Sequence, residues 1–238
     1  MKLIRLITLH GSLRFLFILS LLFYFLPAFS QSEKETRLGT IMAVEVEKDL
    51  IRNLSGVLEE EVRLVNNRIG FDRSVTTLGL DYSLFNKKAK VGVYYAYIHL
   101  YNSDYYFEPR HRFYMNVSYK ETVEPFIFSW RGRLQTTYRD ENIGSYKINP
   151  KNIMKNKVEI AYTIWGSPWK PYVSCDISTL LNDPIEGYGL TRFRFTGGAI
   201  WRLNRTTYLD FFLRYDNEMD QRDPNGFSFG VSYKIKFF

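Results

Sequence analysis

The last twelve residues, Phe227 to Phe238 (FSFGVSYKIKFF), alternate apolar or aromatic residues with small or charged ones. Successive side chains of a β-strand point to opposite faces, so a period of two assigns two environments to one segment. Phe227, Phe229, Val231, Tyr233, Ile235 and Phe237 share one face; Ser228, Gly230, Ser232, Lys234 and Lys236 share the other. A closing strand of this texture, ending on an aromatic, is what an outer-membrane β-barrel presents. Phe238 itself falls one residue out of phase with the apolar set, so the strands before it carry more of the argument.

Ten more segments read as strands, mostly in hairpins: Thr40–Lys48, Leu54–Val65, Ser74–Leu84, Lys90–Tyr101, Arg110–Lys120, Phe126–Arg139, Asn156–Trp165, Lys170–Leu181, Leu190–Leu203 and Thr206–Asn217. The connections alternate in length. Lys48 to Leu54, Phe85 to Lys90, Lys120 to Phe126, Gly166 to Lys170 and Leu203 to Thr206 are short. Between them lie Asn66–Arg73, Asn102–Pro109, Asp140–Lys155, Asn182–Gly189 and Glu218–Gly226, which are longer and more polar. Outer-membrane barrels place short turns on the periplasmic side and long loops outside. Eleven is odd, whereas bacterial single-chain barrels have even counts. The expectation is therefore an all-β, transmembrane, antiparallel up-and-down β-barrel of 10–12 strands. Twelve is favoured, with Ser32–Gly39 supplying a short first strand.

The faces separate this fold from other all-β folds. In Arg110–Lys120, His111, Phe113, Met115, Val117 and Tyr119 oppose Arg110, Arg112, Tyr114, Asn116, Ser118 and Lys120. In Phe126–Arg139, Phe126, Phe128, Trp130, Gly132 and Leu134 oppose Ser129, Arg131, Arg133, Gln135 and Arg139. A soluble sandwich also alternates, but strands of 9–14 residues match the 9–11 that a tilted membrane strand needs. Trp165, Trp169 and Trp201 sit beside short turns and Trp130 slightly further in, as in an interfacial aromatic girdle. The 18 Tyr, with apolar bodies and polar tips, suit the same boundary.

The N-terminus is of another kind. Lys2, Arg5 and Arg14 precede the apolar run Phe15–Leu26, broken only by Ser20, and Pro27-Ala28-Phe29-Ser30 follows. Twelve residues of helix span about 18 Å, short of a hydrocarbon core of about 30 Å. The pattern is that of a secretory signal peptide over 1–30, leaving 31–238 as the barrel domain. The charge of +7 falls to +4 without that segment, and the basic residues are scattered, so no nucleic-acid partner is expected. Cys175 is alone and has no internal disulfide partner.

With the polar faces inside, the lumen receives Glu59, Glu61, Arg63, Asp81, Arg110, Arg112, Arg131, Arg133, Lys157, Glu159, Asp176, Arg192, Arg194, Asp210, Arg214 and Asp216. Both signs occur in similar numbers, so one reading is a structural network that fills the interior. The other is a selective path or binding site for a small polar or anionic solute, with arginines as bidentate donors. Arg110, Arg112, Arg131 and Arg133 form the candidate charge cluster, with Glu59 and Glu61 as candidate partners. His99 and His111 flank one long loop that holds Ser103 and Asp104. A Ser–His–Asp grouping drawn from them has no distinctive spacing, so no catalytic residue, metal ligand or cofactor is assigned. A barrel-wall hydrolase acting on outer-leaflet lipid and a surface binding protein using Asp140–Lys155 remain the alternatives.

The segments LSGVLEEEVRL (Leu54–Leu64), TTLGLDYSLFNKKAKVGVYYAY (Thr76–Tyr97) and RHRFYMNVSY (Arg110–Tyr119) resemble a family of Bacteroidota outer-membrane barrel proteins catalogued as a domain of unknown function. The likeness spans nearly the whole chain after residue 30, with Arg110–Arg112 its most distinctive element. It implies an outer-membrane barrel of ten to twelve strands and no known activity. The expected setting is a bacterial outer membrane, with lipid and the barrel-assembly machinery as partners and a monomeric state. Mass spectrometry of the exported chain should find Gln31 at its N-terminus; retention of residues 1–30 overturns the signal-peptide reading.

Overall fold

The computed structural model describes residues 36–65, 70–101, 107–139, 148–183, 187–219 and 225–238. The expected signal peptide, residues 1–30, lies outside them. Eleven strands form one closed barrel: β1 (Thr36–Ile51), β2 (Leu54–Val65), β3 (Gly70–Leu84), β4 (Ala89–Tyr101), β5 (Phe107–Val123), β6 (Phe126–Arg139), β7 (Lys151–Tyr162), β8 (Trp169–Asp183), β9 (Gly187–Arg202), β10 (Thr207–Glu218) and β11 (Asn225–Phe237). Each strand pairs antiparallel with its sequence neighbours, so every connection is a hairpin. Closure leaves no strand edge with unpaired backbone groups.

The barrel closes by a parallel pairing of β1 with β11, from Thr36↔Asn225 to Lys48↔Phe237. This corrects the preference for twelve strands. Among the described residues Ser32–Gly39 forms no separate strand; its described part, Thr36–Gly39, is the start of β1. The parallel seam leaves the start of β1 at the long-loop end and the end of β11 at the short-turn end. An even count would have brought both to one end.

Parallel pairs are slightly weaker per residue than antiparallel ones, and here the side chains reinforce the seam. Glu45 lies directly opposite Lys234, and Glu47 opposite Lys236. The ion pairs measure 2.6 Å (Lys234–Glu45) and 2.8 Å (Lys236–Glu47). Glu47 is 3% exposed. It also meets Lys234 at 3.4 Å and Lys90 on β4 at 3.2 Å, and accepts a hydrogen bond from Ser55 on β2 at 3.5 Å. Lys90 continues to Asp81 on β3 at 3.7 Å, and Tyr94 donates to Asp81. Glu47 thus ties the closing strand to β1, β2 and β4, and Lys90 extends the link to β3.

The barrel has its polarity inverted relative to a water-soluble one. Leu58, Leu78, Val93, Phe113, Met115 and Leu134 are exposed on the outside, while Glu47, Thr77, Asp81, Asn116 and Gln135 are buried within. The outward faces are those the alternation assigns, including Phe227 and Phe229 on β11. A small apolar layer also lies inside: Ile41, Ile127, Ala161, Tyr172 and Phe212. Its bulk is accommodated by glycine. A Cβ on Gly230 would stand 2.0 Å from Cζ of Phe212, so the ring lies flat over bare backbone. The Tyr94 ring covers Gly79 in the same way.

The one strand whose bounds differ in a way that matters is β7. It starts at Lys151, where a loop was expected to run to Lys155, because Lys151, Ile153, Lys155 and Lys157 continue the inward set. It ends at Tyr162, which leaves Trp165 in the turn. Removing one member of a buried ion pair costs about 3–5 kcal/mol. Glu47→Lys should therefore lower the unfolding midpoint of the refolded chain sharply in a urea titration, and Glu47→Lys with Lys236→Glu should recover part of the loss. An unchanged midpoint for the single variant would show that the seam does not depend on this carboxylate.

Candidate functional site

The inward side chains surround a cavity of about 1340 Å³. All six candidate residues line it: Glu59, Glu61, Arg110, Arg112, Arg131 and Arg133. Their placement follows from strand parity and register. Arg110 and Arg112 come from β5, Arg131 and Arg133 from β6, and Glu59 and Glu61 from β2 on another part of the wall.

Local partners mostly differ from those expected. Arg110 pairs with Glu108 on its own strand at 2.7 Å, and Glu61 pairs with Arg63, also on its own strand, at 2.7 Å. Residues two apart in a strand share a face, so these E-x-R pairs form without long-range assembly. Lys157–Glu159 at 2.6 Å repeats the device with the order reversed. Arg194 donates through Nε and Nη2 to Asp216 on β10, the second bond measuring 3.2 Å, and Arg192 pairs with Glu218. Of the expected carboxylate partners, Glu59 acts on Arg133, and it also feels Glu45, Glu61 and Lys234.

Arg112 and Arg133 rest on neutral groups. Arg112 Nε donates to the Thr137 hydroxyl at 3.1 Å. Arg133 Nε donates to the Asn116 side-chain oxygen at 2.8 Å, and its guanidinium lies 4.1 Å from the centre of the Tyr114 ring. Tyr114 in turn stacks on Tyr94 at 4.7 Å and 7°. Among the described residues, buried Nε and Nη1 of Arg214 have no hydrogen-bond partner, and its guanidinium sits 4.9 Å from the Phe212 ring.

Cations outnumber anions among the side chains that line the cavity, and Glu108, Glu159 and Asp216 behind them pair with Arg110, Lys157 and Arg194. Sixteen Lys or Arg side chains line it, against eight Asp or Glu. Seven of these cations lie outside the lumen set read from the sequence: Arg73, Arg139, Lys151, Lys155, Lys170, Lys234 and Lys236. Lys151 and Lys155 fall in the expected loop Asp140–Lys155, although K-x-I-x-K-x-K extends the inward period of β7. Lys234 and Lys236 were placed on the polar face of the last strand, but their partners follow only from matching K-x-K on β11 to E-x-E on β1.

Outside the barrel, Glu60, Thr76, Tyr97, His111 and Tyr138 fall on one register line near the long-loop end. Thr76 donates to Glu60, and the Tyr95 hydroxyl is 2.8 Å from His111 Nδ1. His99 packs 4.6 Å from the Phe107 ring. At the short-turn end Trp169 and Trp201 stack at 5.3 Å. Aromatic groups therefore bracket the apolar band at both ends. The two histidines come to one outer rim, as expected, but the hydrogen-bond partner of His111 is a tyrosine. Ser103, Asp104 and the loop residues Asp140–Lys147 lie outside the described residues. No group of three or more His, Cys, Asp or Glu able to hold a metal occurs among the described residues.

A family model described as "Protein of unknown function (DUF2490)" matches residues 39–226, so the chain belongs to that family. No curated protein matches it. A solved structure titled "Bacterial polysaccharide outer membrane secretin" is similar with a TM-score of 0.51 at 14% identity, over 78% of this chain and 62% of that one. The likeness is one of fold, and this chain spans about three fifths of that protein's length. Arg194→Met should leave Asp216 as an unpaired carboxylate and destabilise the barrel by about 3 kcal/mol or more. Denaturant titration measures it, and the Arg194→Met/Asp216→Leu double variant should regain most of the stability.

Proposed function

We propose that this member of the DUF2490 family is an outer-membrane β-barrel whose lumen serves as a narrow path or binding cavity for small anionic solutes. The observation that supports it best is the excess of cationic over anionic side chains lining the cavity. Fixed charge of one sign in a confined, low-dielectric space raises the local concentration of counter-ions and excludes co-ions.

The membrane setting is supported by the inverted polarity. A continuous outward apolar band around a whole barrel far exceeds the few hundred Å² of apolar patch that soluble monomers tolerate. Lipid satisfies that band, and closed hairpin pairing satisfies the backbone. The Trp169–Trp201 stack at one end and the Tyr97, His99 and Phe107 rings at the other mark the two interfaces. In this reading the short turns face the periplasm, lipid surrounds the band, and the barrel-assembly machinery handles the closing strand β11. The fold likeness to an outer-membrane secretin agrees with that setting.

Planar-bilayer recording tests conduction. The refolded chain should give discrete steps, and under a KCl gradient its reversal potential should take the sign of chloride preference. Arg131→Glu with Lys170→Glu reverses two lining charges and should lower that preference. A correctly folded barrel that is silent would rule out the path and leave the binding cavity, and one that prefers potassium would sink the proposal.

A further inference from the structure

The geometry points to a phosphoryl-binding site inside the barrel, built by Arg112 of β5, Arg133 of β6 and Lys155 of β7. The inference rests on the anion-accepting lumen proposed above and names the ligand class it takes. It starts from four cationic pairs that stand directly opposite one another on adjacent strands: Arg63–Arg73, Arg110–Arg139, Arg131–Lys157 and Arg133–Lys155. Such cross-strand pairs are destabilising. Three of them carry a carboxylate, since Arg63 meets Glu61, Arg110 meets Glu108 and Lys157 meets Glu159. Arg133–Lys155 has no such ion pair. Arg133 is held by the Asn116 amide and the Tyr114 ring, and among the described residues Lys155 makes no hydrogen bond or ion pair with protein.

The surroundings do not supply the missing negative charge. Arg112, Arg133, Arg192 and Arg194 all act on Lys155, and the last two are already paired with Glu218 and Asp216. Arg63 and Arg73, which act on Arg112, are paired with Glu61 and Asp72. Glu59 acts on Arg133 but is shared with Lys234 and opposed by Glu45 and Glu61. Among the described residues, Arg112, Arg133 and Lys155 therefore stand as three cations held by neutral hydrogen-bond partners or by none.

Their chemistry selects the ligand. Each guanidinium spends Nε on a neutral acceptor, which leaves the Nη groups to face the cavity. A guanidinium fork takes two oxygens, and an ammonium adds a point charge from another direction. A phosphoryl group presents three terminal oxygens in a tetrahedral array and close to two negative charges near neutral pH. It meets three donors from three strands, whereas one carboxylate offers two coplanar oxygens and one charge. The Tyr94–Tyr114 stack beneath Arg133 fixes that guanidinium in place before any ligand arrives, which lowers the ordering entropy on binding.

Isothermal titration of the detergent-refolded chain with pyrophosphate, and with citrate for comparison, tests this without requiring conduction. Wild type should bind pyrophosphate saturably, at one site and more tightly than citrate. Lys155→Gln and Arg133→Gln should each weaken it about tenfold or more, while Lys155→Arg should retain binding. Lys88→Gln, which removes the same charge from the outer short-turn end where Lys88 pairs with Glu121, should leave affinity unchanged. Heat-modifiable gel mobility verifies folding of each variant. Lys155→Gln strands no protein partner, so it carries the test if Arg133→Gln does not fold. Absence of saturable binding, equal affinity for citrate, or an equal loss in Lys88→Gln would overturn the site. A barrel silent in bilayers that still binds pyrophosphate refutes conduction and keeps the site; a conducting, anion-preferring barrel without binding does the reverse.

Discussion

The seam between β1 and β11 is the contact on which the rest of the structure depends. Without it the eleven strands are an open sheet with two unpaired edges and an apolar face on the outside. An odd count forces those edges to meet in parallel. The match of Glu45 and Glu47 to Lys234 and Lys236 selects that register, because a slip of one residue would put the lysines against Val44 and Val46 on the outer face. Glu47 extends the connection to β2 and β4, and Lys90 to β3, so closure and the first two hairpins are stabilised together.

Closure creates the central difficulty of the fold, which is a lumen crowded with charge. Two solutions are visible. The local one pairs opposite charges two residues apart on one strand, as in Glu61–Arg63, Glu108–Arg110 and Lys157–Glu159. The long-range one pairs strands, as in Arg194–Asp216 and the seam. What these leave over is cationic and concentrated around Arg112, Arg133 and Lys155. A barrel evolved only to fill itself would be expected to compensate those groups too, as a buried unpaired charge is strongly unfavourable.

Much of this is legible in the chain. The period of two assigns inward and outward faces correctly for strands as different as Arg110–Lys120 and Phe227–Phe237, because a buried wall and a lumen impose opposite polarity on alternate residues. Placement of the arginine cluster in the lumen follows from the same rule. Its partners do not. Glu59 and Glu61 were natural candidates by sign, yet Glu61 found the nearer Arg63. The run Lys151–Lys155 reads as the end of a polar loop, and only a cavity to line makes it a strand.

By itself, the sequence determined the class of fold, the alternation of short and long connections, and, within the segments it marks as strands, which residues face inward. These depend on local periodicity and on turn chemistry, which a chain carries in neighbouring residues. Only the tertiary structure decided the parallel closure, the hub at Glu47, and the excess of positive charge left unpaired in the cavity. Those depend on which residues meet across nearly two hundred positions of chain, and pairing at that distance is set by closure of the barrel rather than by any local preference.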